Sequence, residues 1–234
     1  MAFGPILRFK VDSLNVELAP LRREDALEFI DLSYGGGLQQ QSITRYLAMA
    51  WAPTVEDEQD WYEKVRTDKA NLTWGIWILE EGSTAPGRTL IGTSSLMRIG
   101  SNGHAALLRQ SETASVIFRK EYWGHGIAST AHKVRAWYAF RQLGLHRLTS
   151  YVYQDNSGSR KAIERSGYVL THTKRNDQFY DGEFHHIDAF ECLNPDNLFW
   201  DQWWHGETPP ESSQQARKTT INALQWAEKN VEIA

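Results

Sequence analysis

The chain has 234 residues, of which 41% are hydrophobic and 23% are charged, and its formal net charge at pH 7 is −4. This composition is ordinary for a globular protein with a hydrophobic core. The mild negative charge argues against nucleic acid and against an anionic membrane as partners. Cys192 is the only cysteine, which excludes an intramolecular disulfide and a cysteine-based zinc site.

The sequence does not suggest a targeting segment or a membrane-spanning segment. Residues 1–15 include several charges and no long apolar stretch, so they do not resemble a signal peptide. The sequence also lacks a run of about 18 apolar residues, the length that a transmembrane helix needs. We therefore expect a cytoplasmic protein without a membrane partner.

The first part of the chain predicts helices after one short strand. Val16 to Leu21 is an extended run, and an amphipathic helix follows from Arg23 to the glycines at 35–37. A second helical piece covers residues 41–50. Thr54 predicts the cap of a third helix, because the acidic residues after it complement the positive helix start.

Three alternating segments then predict consecutive strands, at residues 72–79, 89–99 and 112–118. Turn sequences at 86–87 and 101–103 separate them. Since strands joined by short turns usually pair antiparallel, this part predicts an antiparallel meander.

The pattern of the next part alternates between helices and strands. It predicts, in order, a helix at 126–143, a strand at 148–153, a helix at 157–166 and strands at 168–173 and 184–193. The turn Asp181-Gly182 joins the last two strands. Together with the meander, this predicts a mixed α/β sheet.

The C-terminal part has a different composition. We expect one domain at residues 1–195 and a Trp-rich extension at 196–234, in which residues 214–231 form a helix. An apolar stripe along that helix predicts packing on the domain or on a partner subunit, so a homodimer is a further expectation.

The strongest chemical signal lies between Val116 and Ala128, where a strand runs through Gly124-His125-Gly126 into a helix. The first N–H groups of a helix have no partner within the helix, and the helix start carries a partial positive charge. Glycines let an anion approach this backbone closely. The segment therefore predicts a phosphate-binding turn.

Three classes of phosphate-containing ligand could bind such a turn. A dinucleotide-binding fold needs a parallel βαβ unit and an acidic residue about 20 residues later, and Gly144 to Arg147 offers none. A nucleoside triphosphate loop needs a Gly-Lys-Ser/Thr triplet, which is missing here. Coenzyme A remains, and a second segment supports it.

With that second segment, residues 153–168, the chain resembles the GNAT superfamily of N-acetyltransferases. The family has Gln/Arg-x-x-Gly-x-Gly/Ala at the cofactor helix, followed later by Asn-x-x-Ser/Ala and Gly-Phe/Tyr. Gly124 to Gly126, Asn156 to Ser159 and Gly167 to Tyr168 match these motifs in order. The resemblance covers roughly residues 16–195 and is greatest to the branch that acetylates the N-termini of ribosomal proteins.

The resemblance implies a GNAT-like fold: a mostly antiparallel mixed sheet of about seven strands, splayed in the middle, with helices on both faces and here an extra C-terminal helix. It also implies an acetyl-CoA-dependent N-acetyltransferase. The resemblance implies that the main chain of Ile117, Phe118 and Arg119 contacts pantetheine, that Asn156 contacts the pantetheine arm, and that Arg160 or Lys161 reaches a phosphate. The implied pyrophosphate contacts are Trp123, Gly124, His125, Gly126, Ile127, Ala128 and Ser129.

Two positions depart from the family pattern. Glu121 stands where the family has Gln or Arg, and Ile163 stands where many relatives have a tyrosine that protonates the leaving thiolate. Ser159 matches the proposed substitute for that tyrosine in the ribosomal branch. For the base that deprotonates the amine, the candidates are Glu112 and Glu191, with Tyr153 as a relay through water.

Direct acetyl transfer to a primary amine, either a protein N-terminus or a small molecule, is therefore the expected activity. A non-catalytic acyl-CoA-binding scaffold and an acetyltransferase for an aminoglycoside or an amino acid stay open as alternatives. No metal site is expected from His172, His185 and His186, because adjacent histidines on a strand point to opposite faces.

Overall fold

The computed structural model describes residues 3–30, 37–47, 49, 51–80, 87–99 and 109–234. Within them the strands are β1 (Leu7–Val11), β2 (Leu14–Ala19), β3 (Leu72–Leu79), β4 (Arg88–Met97), β5 (Gln110–Ile117), β6 (Arg147–Tyr153), β7 (Val169–Tyr180), β8 (Glu183–Leu193) and β9 (Glu232–Ile233). They form one sheet in the order β7-β8-β6-β5-β4-β3-β2-β1-β9. All neighbouring strands pair antiparallel except β5 and β6, which pair parallel.

The α-helices of the described residues are α1 (Gln41–Thr44), α2 (Val55–Thr67), α3 (Ile127–Trp137), α4 (Ser157–Glu164), α5 (Asn197–Trp203) and α6 (Glu211–Asn230). Short 3-10 helices cover Arg23–Phe29, Arg45–Leu47 and Lys120–Tyr122. Thr54 caps α2 as expected, because its side chain accepts a hydrogen bond from the Asp57 N–H while the Asp57 carboxylate accepts one from the Thr54 N–H.

Two hydrophobic clusters cover the two faces of the sheet. On one face, α3 and α6 pack against the sheet, with Val134 and Leu224 among the buried residues. On the other face, the 3-10 helix at Arg23–Phe29, α1 and α2 pack around Phe118. Adjacent residues of the central strands enter different clusters, as the period of a strand requires: Ile76 of β3 belongs to the first and Trp77 to the second. The expected mixed sheet with helices on both faces is confirmed.

Within the described residues the sheet has nine strands rather than the expected seven. The first extra strand, β1, alternates between buried and exposed residues. It was not predicted, because its exposed residues Arg8 and Lys10 make the segment resemble a charged terminus. The other, β9, has only two residues and is formed by pairing with Leu7 and Arg8. The expected turns at 35–36 and 101–103 and residue Pro86 lie outside the described residues.

Several expected boundaries also differ. The helix expected at 41–50 is α-helical only over Gln41–Thr44, and the one expected from Arg23 is a 3-10 helix. The helix expected at 126–143 is α-helical to Trp137 and continues as a π turn over Tyr138–Gln142. Such ends depend on tertiary packing, which local propensity does not include.

The C-terminal helix shares the core of the rest of the chain. Ala223, Leu224 and Ala227 of α6 are buried, and Leu224 and Ala227 belong to the same cluster as α3. Thr220 lies against Gly167, with its hydroxyl 3.4 Å from the Gly167 carbonyl oxygen. The apolar stripe is thus covered within one chain, so it does not argue for a homodimer.

Candidate active site

Strands β5 and β6 separate after a short parallel pairing. Only three pairs join them, the last being Glu112 with Thr149, although β5 continues to Ile117 and β6 to Tyr153. The Thr113 hydroxyl donates to the Thr149 carbonyl oxygen at 3.0 Å, which closes the narrow end. Beyond that contact the two strands leave a gap in the middle of the sheet.

The register of β5 on β4 decides which main-chain groups face this gap. The Phe118 N–H donates to the Ile91 carbonyl oxygen at 2.9 Å, so it points toward β4. Because N–H groups alternate in direction along a strand, those of Ser115, Ile117 and Arg119 point toward the gap. Ile117 and Arg119 therefore lie where pantetheine pairing was expected, whereas the N–H of Phe118 is already engaged.

The Arg119 side chain lies on the opposite side from the gap. Its Nε donates to the Leu90 carbonyl oxygen at 2.7 Å, and its guanidinium is 3.5 Å from the Glu28 carboxylate. Burial raises the pKa of Glu28 above its ordinary value, although the Leu90 N–H and Arg119 oppose the shift. Arg119 thus anchors the end of β5, and its side chain does not enter the gap.

The gap leads to the glycine turn before α3. Gly124 and Gly126 both have positive φ, 84° and 76°, and Gly126 caps the helix. The first helical hydrogen bond runs from the Thr130 N–H to the Gly126 carbonyl oxygen, so the N–H groups of Ile127 and Ala128 have no acceptor within the helix. A side chain at Gly124 would meet no atom within 4 Å, so the turn is open to a ligand.

Trp123 and Lys120 complete this turn. The Trp123 indole donates to the gap-facing carbonyl oxygen of Ile117 at 2.8 Å, and 48% of the residue is exposed. Lys120, which the sequence analysis did not single out, lies with its ammonium 6.0 Å from the Trp123 ring centroid. His125 and Glu121 are exposed, so neither side chain fills the turn.

The C-terminal end of helix α4 lies against the first turn of α3. Asn156 caps it, with its Oδ1 accepting the Ser159 N–H at 3.1 Å, and Ser159 is half-buried. The Ser166 hydroxyl donates to the Ser129 carbonyl oxygen at 3.0 Å, which joins the end of α4 to the first turn of α3. The two motif segments predicted to share a site therefore lie against each other.

Arg160 has partners that the sequence analysis did not anticipate. Its Nη1 is 2.9 Å from the buried Asp188 carboxylate of β8, and its Nε is 3.0 Å from Glu164. A guanidinium held by two carboxylates is already neutralised, and phosphate would have to displace both. Arg160 therefore serves to hold α4 on the sheet, and we withdraw it as a phosphate contact.

Both candidate bases lie in one row across the sheet, on the face opposite α3. Glu112 and Glu191 flank Thr149 on β5 and β8. Glu112 is 3.0 Å from Arg98, and Glu191 is 2.9 Å from Arg147. Arg98 is 70% exposed on its side chain, so the Glu112 ion pair is the weaker of the two.

A cluster of aromatic and charged side chains forms one rim of this face, and the sequence analysis missed most of it. The Tyr153 ring lies between those of Tyr46 and Tyr180, at centroid distances of 5.9 and 5.4 Å. The Tyr180 hydroxyl donates to the Asp155 carboxylate at 3.0 Å. Burial raises the pKa of Tyr180 to about 12, with a further contribution from Asp155 that Arg45 opposes.

Arg45 joins the two sides of this rim. Its guanidinium is 3.5 Å from Asp155 and 3.7 Å from Asp181, and it lies 5.5 Å above the Tyr180 ring. Gln41 also donates to Asp181, at 2.6 Å. The segment that contains α1 is thus fastened to the turn between β7 and β8, although 140 positions separate Gln41 from Asp181.

The three histidines make different contacts, and the His172 Nδ1 lies 3.1 Å from the Thr171 hydroxyl. His185 stacks on Tyr180 with a centroid distance of 3.5 Å, and the His186 Nδ1 accepts the Asn176 N–H at 3.1 Å. His185 and His186 also line a surface depression of about 320 Å³ with Asp155. Across the described ranges, no group of three or more His, Cys, Asp or Glu side chains could hold a metal ion.

Among the helices of the described part, none is both long enough and apolar enough to cross a bilayer.

Two curated relatives resemble parts of the chain. The uncharacterized N-acetyltransferase YoaA of Bacillus subtilis is 25% identical over 156 residues, which are 65% of this chain and 81% of that protein. The probable N-acetyltransferase YjcK of the same organism is 32% identical over 114 residues, 49% of this chain and 60% of that protein.

Solved structures share the fold. Mycobacterium smegmatis RimJ, in complex with CoA-disulfide, has a TM-score of 0.69 and 16% identity, and the match covers 99% of this chain and 97% of that one. The spermidine N-acetyltransferase of Vibrio cholerae, in complex with CoA and spermine, has a TM-score of 0.63 and 21% identity, covering 78% of this chain and 98% of that one.

The model of the acetyltransferase (GNAT) domain family matches residues 15–169. This match spans the two motif segments up to Val169, the gap between β5 and β6 and the turn that begins α3. The chain therefore belongs to the GNAT acetyltransferase family, whose members transfer the acetyl group of acetyl-CoA.

Proposed function

We propose that this N-acetyltransferase acetylates the α-amino group of a peptide or protein, with acetyl-CoA held in the gap between β5 and β6. One observation carries the proposal: pairing of these strands ends at Glu112 and Thr149, and the gap beyond leads to the open helix start at Gly126. A gap lined by main-chain donors suits the amide groups of pantetheine, and a helix start suits a pyrophosphate.

The residues present fit the cofactor. The N–H groups of Ile127 and Ala128 would receive the pyrophosphate, and the main chain of Ile117 and Arg119 would pair with pantetheine. The exposed Trp123 indole, which holds the Ile117 carbonyl, would have to move aside for that pairing. Bound acetyl-CoA supplies an acetyl thioester. The amine takes the acetyl group from it as a C–N bond forms and the C–S bond breaks. The amine loses one proton, and the leaving thiolate gains one.

The chain's own groups would assist at both ends of that exchange. The Ser115 N–H faces the gap beyond the last strand pair and would donate to the acetyl oxygen, a contribution that grows as that oxygen gains charge. Ser159 would give a proton to the sulfur. Because a thiol has an ordinary pKa of ~8.5, its thiolate is a tolerable leaving group, and a general acid adds ~10²–10⁴-fold.

The acceptor would approach on the face opposite α3. There Ala114 and Tyr151 are exposed between the row of Glu112 and the rim of Tyr153. The two carboxylates of the row both have arginine partners, so an acceptor that needs little help from a base fits best. An α-amino group, with an ordinary pKa of ~7.7–8.0, is partly neutral near pH 7, whereas a lysine or polyamine amine at ~10.4 is not.

The test is an acetyl-transfer assay that follows thiol release and the mass of the product. Three acceptors are compared: a lysine-free peptide with a free N-terminus, the same peptide blocked at its N-terminus with one lysine added, and spermidine. We expect acetylation of the first, with kcat/KM at least tenfold above the other two. Equal or better turnover of the lysine peptide or spermidine would refute the α-amine preference, and no turnover with any acceptor would refute the reaction.

A further inference from the structure

Helix α3 contains a buried cation that the proposed reaction has not used. Arg135 is 0% exposed, and its Nη1 donates to the Ser94 hydroxyl at 3.0 Å and to the Ala114 carbonyl oxygen at 2.7 Å. Its other terminal nitrogen meets the His132 Nδ1. Among the described residues, no carboxylate pairs with this guanidinium, so its positive charge is not neutralised by an ion pair.

The surrounding groups leave that charge in place. Burial, and then the charge of Arg135, lower the pKa of His132 well below its ordinary value, so the imidazole is neutral and its Nδ1 accepts from Arg135. Burial raises the pKa of Tyr168, which also favours its neutral form, and its hydroxyl contacts Thr113 at 3.4 Å. Burial also lowers the pKa of Arg135, but a guanidinium holds its proton throughout the working pH range.

Such an arrangement is costly for stability. A charge removed from water without an opposite charge costs several kcal/mol even when it is hydrogen-bonded. An apolar side chain of similar size at position 135 would avoid that cost, because the helix otherwise presents Ala131 and Val134 to the core. A buried cation with only neutral partners therefore points to a function outside folding.

Its principal acceptor lies directly behind the gap. The Ala114 carbonyl and the Ser115 N–H belong to one peptide unit, and they point in opposite directions from β5. Ala114 pairs with Ser95 on β4, so its carbonyl points toward β4, while the Ser115 N–H points into the gap. A cation that donates to the carbonyl of an amide draws electrons from its nitrogen and makes the N–H a stronger donor.

We propose that Arg135 is a positioning residue that strengthens the Ser115 N–H as a hydrogen-bond donor to the acetyl oxygen, by acting through the Ala114–Ser115 peptide. The inference rests on the proposed placement of acetyl-CoA in the gap. Its effect increases as the oxygen gains negative charge, so it lowers the barrier of the chemical step more than it tightens binding.

The test compares Arg135→Met, which removes the charge at similar volume, with Arg135→Lys, which keeps a charge there. Tyr168→Phe is the control, since it removes a neutral hydroxyl that contacts both Arg135 and Thr113 but leaves the charge at position 135 in place. For each variant we would measure thermal unfolding, the Kd of acetyl-CoA by calorimetry, kcat, and the infrared stretch of the bound thioester carbonyl labelled with carbon-13.

In Arg135→Met we expect the carbonyl stretch to move toward its frequency in water and kcat to fall about tenfold, with a change in Kd below about threefold. Thermal unfolding is measured separately, because the variant removes the buried charge but also leaves Ser94 and His132 without their donor. Arg135→Lys should recover part of both effects, and Tyr168→Phe should leave the stretch unchanged. If Arg135→Met does not fold, Arg135→Gln gives the same comparison.

The failure of this inference can be told from the failure of the proposed function. Wild-type protein that does not bind acetyl-CoA would overturn both. Normal binding together with an unshifted stretch and an unchanged kcat in the neutral variants would overturn the role of Arg135 alone. A parallel loss of folding and activity in Arg135→Met and Arg135→Gln, with both restored by lysine without any spectral change, would also assign Arg135 to structure.

Discussion

Glu112 on β5 and Thr149 on β6 are the last residues that pair across the middle of the sheet. The next residue of β5, Thr113, uses its side chain rather than its main chain to reach β6, through a 3.0 Å hydrogen bond to the Thr149 carbonyl oxygen. The side-chain contact ends the ladder at a fixed point. After it, the N–H groups of Ser115 and Ile117 point away from β4 and can meet a ligand in the gap.

Ser159 provides the first prediction. Ser159→Ala should lower kcat by about 10²-fold, because it removes the proposed proton donor to the thiolate. The Kd of CoA should change little, since the Ser159 N–H, which bonds the Asn156 cap, remains. Steady-state kinetics and calorimetry measure these two quantities.

Ser157→Ala is the matched control, because Ser157 is an exposed serine in the first turn of the same helix. An equal fall of kcat in both variants would assign the effect to the helix, and an unchanged kcat in Ser159→Ala would remove the residue from the mechanism.

Arg45 provides a prediction about the acceptor. Arg45→Gln should raise KM for the peptide roughly two- to fivefold, because the α1 segment loses its ion pairs with Asp155 and Asp181. The Kd of acetyl-CoA should stay the same, since the rim is separate from the turn at Gly126. Arg66→Gln, which breaks an exposed ion pair with Glu63 on α2, serves as the control. A KM that is equal in both variants would show that the rim does not shape the acceptor site.

Glu58 predicts a dependence of stability on pH. Burial, and then the charge of Asp57, raise the pKa of Glu58 to about 7. The folded state thus prefers the protonated acid, so this group's stabilising contribution is full below its unfolded pKa of ~4.3 and is lost as the pH rises through about 7. Glu58→Gln should therefore be more stable than the wild type by about 2 kcal/mol at pH 8 and equal to it at pH 4.5.

Urea unfolding at the two pH values measures this difference. The control is Glu56→Gln, which neutralises an exposed glutamate of the same helix. If the free energy of unfolding of Glu58→Gln differed from the wild type by the same amount at both pH values, Glu58 would not be the titrating group.

Gly167 tests the packing of α6. A methyl group at this position would lie 2.1 Å from the Thr220 hydroxyl oxygen and 3.0 Å from its Cα, and φ is +93°. Gly167→Ala should therefore lower the melting temperature by roughly 4–8 °C, which corresponds to about 2 kcal/mol. Gly206→Ala has a similar φ of +81° with no atom within 4 Å, so it should cost only about 1 kcal/mol. Equal losses would mean that α6 does not press on Gly167.

Local signals in the sequence predicted the turn before α3 correctly. Gly124 and Gly126 occupy the positive φ values that such a turn needs, and the strand and helix on either side are properties of adjacent residues. The cap of α4 by Asn156 is also local, although the sequence analysis expected this residue only as a contact of the pantetheine arm. Both features depend on residues close together in the chain, which a sequence pattern can report.

Contacts between distant residues could not be predicted from the sequence. The ion pair of Arg160 with Asp188 joins residues that are 28 positions apart. The direction of the Phe118 N–H depends on the register with β4, which the sequence does not specify. The sequence does not reveal the role of Arg135 either, because its burial and its contact with Ala114 follow from how α3 lies on the sheet.

The account depends most on the claim that the start of α3 binds the pyrophosphate of acetyl-CoA. Ala128, half-buried in the first turn, offers a direct test. Ala128→Asp places a carboxylate where the phosphates are proposed to bind, yet an acidic residue in the first turn favours the helix itself. Ala128→Asn has nearly the same shape without the charge, so it isolates the electrostatic effect.

Calorimetric titration of CoA into the wild type, Ala128→Asp and Ala128→Asn is the decisive measurement. The account predicts a Kd at least tenfold higher for the aspartate variant than for the asparagine variant, at equal or higher melting temperature, because the carboxylate repels the pyrophosphate without harming the fold. Equal affinities of the two variants, or a wild type that does not bind CoA, would contradict it.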